Sequence, residues 1–85
     1  MGDKVIYVAG CGIGPAGPAA QKLVGKLHER CEKILRNTNP DAVRSAIMRE
    51  MRMVRAIMME EHGVAVDDVH VTLTDGHSSE RIDLT

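Results

Sequence analysis

Glycines at positions 12, 14 and 17 form a GxGxxG pattern, with Cys11 directly ahead of it. Glycine lets a backbone turn and approach a phosphate closely. A helix starting just behind it supplies N–H donors and a partial positive charge. The same helix start would favour the thiolate of a nearby cysteine, the nucleophilic form. The expected ligand-binding residues are therefore Gly10, Cys11, Gly12, Ile13, Gly14 and Gly17. They would offer backbone amides to an anionic nucleotide or phosphorylated metabolite. Cys11 is the one candidate catalytic residue, as the nucleophile of an enzyme. Pro15 and Pro18 subtract two N–H donors from the segment. Contact with another ligand or partner, or a packing turn whose glycines let helix and strand lie close, are open at the same residues.

The run from Lys4 to Ala20, KVIYVAGCGIGPAGPAA, resembles the fingerprint of Rossmann dinucleotide-binding proteins. That resemblance implies a strand, a glycine turn and a pyrophosphate on the helix N-terminus. It covers about 17 of the 85 residues, and no acidic residue ends a second strand about 20 positions on. The segment is also similar to the phosphocysteine loop of sugar-transport phosphocarrier domains. There a cysteine at a strand end precedes a glycine-containing loop and a helix, so Cys11 would carry the thiol. The later strands of that family are not recognisable, and the loop lacks the hydroxyl and basic residues that bind phosphate well.

A second set of candidates lies further on. Val43, Ile47, Met51, Val54 and Met58 share one sector of a helical wheel, flanked by Ala46, Met53 and Ile57. Arg44, Arg49, Arg52 and Arg55 fall opposite, either as an acid-binding face or as a solvated one. Glu50 lies inside the apolar sector, where an isolated carboxylate is costly. It must pair with a basic group, reach the edge or face another chain, and Arg30, Lys33 or an arginine of another copy would serve as the partner. Met48 and Met59 sit near the polar half, and exposed methionine suits an adaptable partner surface. The expected interface is Ile47, Glu50, Met51, Arg52, Val54, Arg55 and Met58, with the chain paired to itself as a dimer or higher oligomer. His28, His62, His70 and His77 are scattered, and no pair has the spacing of a metal-binding helix. His28 and Cys31 stand i,i+3, but Cys31 continues an apolar stripe, so no metal site is expected.

These residues must be held by a few elements. Val5 to Ala9 reads as a short strand buried on both faces, and Gly10 to Gly17 as a loop. Ala20, Leu23, Val24, Leu27, Cys31, Ile34 and Leu35 have helical spacing, which predicts a helix over about 18–36 with a proline in its first turn. The alternative ends that helix near Arg30 and makes residues 32–37 a strand. Asn39 is a good N-cap, Pro40 suits the first helical position, and Asp41 puts negative charge at the positive dipole end. The second helix runs to about His62, with Gly63 as a left-handed stop. Val69, Val71 and Leu73 then alternate with His70, Thr72 and Thr74 as a half-buried strand. A four-residue loop over Asp75–Ser78 places Val71 opposite Ile82 and Val69 opposite Leu84, apolar against apolar, which a two-residue turn would not. The expected fold is a two-layer α/β (α+β) domain over 1–85. Its order is β-α-α-β-β, with β-α-β-α-β-β as the alternative, and three short strands are covered by two long helices.

Composition narrows the function. Apolar residues are 44% and charged residues 27%, which excludes a disordered or collagen-like chain. One Tyr, no Phe and no Trp remove the aromatic platforms of a single-strand nucleic-acid binder, and a formal net charge of −1 supplies no basic field. Val5 to Ala9 is too short for a signal-peptide core, and no apolar run approaches a membrane span, so the expectation is cytoplasmic. Two cysteines in a reducing compartment are expected as thiols. The leading expectation is a small soluble homo-oligomeric binding protein that takes an anion on its glycine loop. The second is an accessory or assembly protein that docks its Met- and Arg-bearing helix on a protein partner. The third is the Cys11 enzyme. No particular cofactor is implied.

Overall fold

The computed structural model describes residues 5–14 and 17–84. The elements are β1 (Tyr7–Gly14), α1 (Pro18–Asn37), α2 (Pro40–His62), β2 (Asp68–Thr74) and β3 (Ser79–Asp83). The order is β-α-α-β-β, and residues 32–37 are helical. The sheet order is β1-β2-β3 with both pairs antiparallel, so β1 and β3 are its two edges.

The helices form for the reasons their caps advertise. Asn39 accepts a hydrogen bond from the Asp41 amide at 3.1 Å, satisfying a donor that the first turn leaves free. At the other end of α2, Gly63 takes φ 66°, and its amide donates to the Met59 carbonyl at 3.1 Å. α1 has no side-chain cap; Gly17 enters it in extended conformation and Pro18 follows at the first position. Ala20, Leu23, Leu27 and Cys31 bury the inner stripe of α1, and Ile47, Met51, Val54 and Met58 that of α2.

The β2–β3 hairpin has the expected register. Val71 pairs with Ile82, and the Leu84 amide donates to the Val69 carbonyl at 3.0 Å. Its loop is held by Asp75 Oδ1, which accepts from the amides of His77 and Ser78 at 2.9 and 3.0 Å. Gly76 supplies the positive φ, 92°.

The first strand differs from the sequence expectation. Val5 and Ile6 lie outside it and are 73% and 49% exposed. The strand begins at Tyr7, also exposed, and continues through Gly10, Cys11, Gly12, Ile13 and Gly14, which were expected in a loop. Nor is it buried on both faces. A register irregularity between Val8 and Gly10 inserts Ala9 as an extra residue. Strict alternation from Val8 would turn Gly10, Gly12 and Gly14 inward. With the extra residue, Val8, Cys11 and Ile13 share the inner face, opposite Leu73, Val71 and Val69. Val8 and Ile13 join the core, and the glycines fall on the outer face.

Candidate functional site

Gly10 to Gly14 form a paired strand where the sequence suggested a loop. Gly12 pairs with His70 and Gly14 with Asp68, and the Gly14 carbonyl accepts from the Asp67 amide at 3.0 Å. Of the six expected ligand-binding residues, Gly10 through Gly14 lie in the ladder and Gly17 is the cap of α1. Pro15 lies outside the described residues. The strand ahead of α1 therefore extends through Gly14 and lies on the edge of an antiparallel sheet.

Cys11 is not an exposed nucleophile. Its side chain points inward, half-buried, and Sγ donates to the Val24 carbonyl at 3.3 Å. Burial pushes its pKa up, against a smaller lowering from a backbone hydrogen bond at His28, so the thiol form is favoured. Cys31 has no exposed surface and is pushed up to about 12, first by burial and then by the neighbouring Cys11. The expected helix-dipole activation of Cys11 is overturned by this placement.

What β1 offers instead is an edge. In an antiparallel strand both backbone groups of one residue point the same way, and successive residues alternate. Since Gly14 faces β2, so does Gly12, and the amides and carbonyls of Cys11 and Ile13 face the open side. Val8 faces it too, beyond the inserted Ala9, and there the Glu32 carboxylate of α1 accepts the Val8 amide at 2.7 Å. Glu32, also 3.8 Å from His28, was not singled out by sequence reasoning. Its only sequence signal is a carboxylate on the flank of α1 beside the apolar stripe. The strand YVAGCGIG contains no charge and no proline.

The outer face of the sheet carries a polar cluster. The His70 ring lies across Gly12: a β-carbon there would come within 2.5 Å of His70 Cε1. His70 Nδ1 is 3.3 Å from Asp68. Arg81 reaches Asp68 at 3.5 Å and Asp83 at 2.9 Å, and the hydrogen bond to Asp83 is the main cause raising the Arg81 pKa. A side chain at position 12 would therefore have to displace the His70 ring.

The interface expected on α2 is divided. Ile47, Met51, Val54 and Met58 are buried in the core of the single chain, packed with the sheet and α1 rather than presented to a partner. Met48 is half-buried against that core. Glu50 is paired with Arg30: the guanidinium bonds it through Nε and through Nη2, the latter at 3.3 Å. That pair holds the Arg30 pKa above its ordinary value. Arg52 and Arg55 are exposed, as are Met53 and Met59.

Among the described residues no group of three or more His, Cys, Asp and Glu side chains is placed to hold a metal ion, and no helix is long and apolar enough to cross a membrane. No known family model, curated protein or solved structure matches the chain.

Proposed function

We propose that this protein is an assembly module that docks a strand on the free edge of β1. The observation that carries the reading is the location of the glycine segment. It forms an uncharged strand with Cys11 and Ile13 turned to the open side, while the opposite edge of the same sheet is charged. Natural edge strands are normally blunted by charge, proline or cover, because an open row of N–H and C=O groups pairs with any extended chain. Main-chain hydrogen bonds supply the affinity in this mode of recognition.

The experiment is residue-resolved hydrogen exchange with a synthetic peptide of the sequence Tyr7–Gly14 as the added strand. Docking slows the Cys11 and Ile13 amides to the rate of Gly12, whose amide already faces β2. Free exchange of both amides at high micromolar protein with excess peptide removes the reading.

A second docking surface has one observation in its favour. A shallow cleft of about 350 Å³ is lined by Arg52, Arg55, Ala56, Met59, Ala65 and Val66, which combines cationic and adaptable apolar groups. It is the part of the expected α2 interface that remains open, and it suits an acidic partner with apolar side chains. Loss of partner binding on Arg52→Glu/Arg55→Glu, with the β1 edge untouched, would transfer the function to this face.

A further inference from the structure

We propose that the strand docked on β1 is the β1 of a second copy, laid antiparallel with Gly12 on the twofold axis, and that the two α1 helices meet beside it at Gly25. The proposal rests on the β1 edge being the docking surface. Three independent observations lead to it.

The first is the hydrogen-bonding pattern. Glu32 closes the edge at Val8, so Cys11 and Ile13 are the residues that remain turned outward between the inserted Ala9 and the end of the strand. A twofold through Gly12 sets Cys11 against Ile13 of the other copy, and Ile13 against Cys11. In an antiparallel ladder each such pair exchanges both of its hydrogen bonds. Every outward group of that stretch is then satisfied by its own symmetry mate. On the inner face Cys11 meets Ile13, apolar against apolar. On the outer face Gly12 meets Gly12 and Gly10 meets Gly14, none with a side chain of its own, and the His70 ring of each copy lies over its own Gly12.

The second is charge. A twofold pair brings like residues together, so a strand that pairs with itself must avoid like charges, which are destabilising when directly opposite. Tyr7–Gly14 has none. It also has no charge with which to select an oppositely charged strand, which favours a second copy over a partner of other chemistry.

The third is Gly25. A glycine in mid-helix is about 1 kcal/mol worse than alanine. Among the described residues, its own helical turn aside, nothing lies within 4 Å of where its β-carbon would stand, so no tertiary contact among them explains it. Gly25 lies seven positions before Glu32, two turns along the same flank of α1. Glu32 marks that flank as the one overhanging the β1 edge, and the bond from Cys11 to the Val24 carbonyl puts Gly25 at the level of the axis. Without a side chain there, two helix backbones can approach closely. The resulting sheet runs β3-β2-β1-β1-β2-β3, with a charged β3 at each end, so assembly stops at two chains.

Sedimentation or light scattering on the wild type is expected to give twice the 9.3 kDa chain mass. Gly25→Arg, on an exposed and open helical position, is expected to fold with the same helical circular dichroism and to halve that mass. The register is read by Gly10→Cys/Gly14→Cys in a Cys11→Ser background. The introduced thiols are about 13 Å apart along one strand, beyond the roughly 7 Å that a disulfide spans, so they link only between chains. Oxidation should join position 10 of one chain to position 14 of the other. A monomeric wild type whose Cys11 and Ile13 amides are still protected by the added peptide overturns this proposal and leaves edge docking standing. A dimer that ignores Gly25→Arg and forms no 10–14 link overturns it as well, because the copies are then joined elsewhere.

Discussion

The two outer strands of this sheet meet water in opposite ways. β3 carries Glu80, Arg81 and Asp83 among its five residues, all exposed, with Glu80 paired to Arg44 across to α2. β1 carries no charge in eight residues, and among the described residues its guard is borrowed, the Glu32 carboxylate of α1 resting on the Val8 amide. An edge protected by its own side chains repels a strand along its whole length. An edge protected by a neighbour's side chain is closed at one point and open beyond it. Beneath them, β3 sets Ile82 into the core, while β1 sets Val8 and Ile13 there and lies beside the two thiols, Cys11 and Cys31.

The largest expected effect separates the two halves by pH. Cys31 is raised from an ordinary value of 9.0 to about 12. Such a group stabilises the fold below its unfolded pKa. Above it the unfolded chain ionises first, so stability falls as pH climbs from about 9 toward about 12, by up to about 1.4 kcal/mol per unit. Denaturant titrations across that range should show the fall, and Cys31→Ala should flatten it. Amides of β1 should lose protection at lower pH than those of β3, because the thiols lie on the β1 side. Simultaneous loss in both strands would erase the difference between the two edges.

Removing the borrowed guard comes next. The Val8 amide bonds a charged acceptor in a half-buried setting, where such hydrogen bonds contribute about 1.5–3 kcal/mol. Part of the Glu32 side chain is solvent-exposed, which moderates that figure. Glu32→Ala should cost about 1–2 kcal/mol in chemical denaturation, with Glu32→Gln recovering part as a neutral acceptor. The variant should also speed exchange at Val8, a change that loss of helix propensity alone would not produce. Unchanged exchange at Val8 would show that the contact guards nothing.

A smaller effect tests the glycines. Gly10 has open space where a β-carbon would stand, whereas Gly12 has the His70 ring at 2.5 Å. Gly10→Ala should leave stability unchanged or raise it by about 0.5 kcal/mol, by limiting the unfolded chain. Gly12→Ala must push the imidazole off Asp68 and should fall below Gly10→Ala by about 1 kcal/mol. In a His70→Ala background the two substitutions should become equivalent, and that double-mutant cycle gives the coupling directly.

What the sequence disclosed and what it hid follow from how local each signal is. The hairpin register was legible because Val69, Val71, Ile82 and Leu84 must share one face and Asp75–Ser78 has turn chemistry. Both ends of α2 were legible from Asn39-Pro40-Asp41 and Gly63. For Glu50 the apolar sector left a basic partner, an edge position or another chain open, and Arg30, one of the partners considered, pairs with it. The strand through Gly10–Gly14 was not legible. Glycine is a poor strand former, and the residues that hold it there, His70 and its neighbours on β2, come far along the chain. The inward turn of Cys11 depends on one inserted residue at Ala9, which leaves no mark in the local pattern. GxGxxG is therefore ambiguous here between a phosphate turn and a strand cleared for a neighbour's ring.

The smallest change in stability carries the sharpest test of the edge comparison. Glu80→Thr/Arg81→Thr/Asp83→Thr gives β3 a neutral edge like that of β1. The ion pairs removed, with Arg44, with Asp68 and within the strand, are exposed, and such pairs contribute little to stability. Threonine suits an edge strand better than the residues it replaces, which offsets part of that loss. The folded state should therefore stay within about 1 kcal/mol of the wild type. Its assembly should not stay the same. With both edges of the sheet open, association no longer closes, and sedimentation should show species beyond the dimer that grow with concentration. Adding Gly25→Arg to this variant should block the β1 side alone and return it to dimers joined through β3. If the neutral β3 leaves the mass distribution unchanged, charge is not what distinguishes the two edges, and the protection of β3 must come from its short length and its twist.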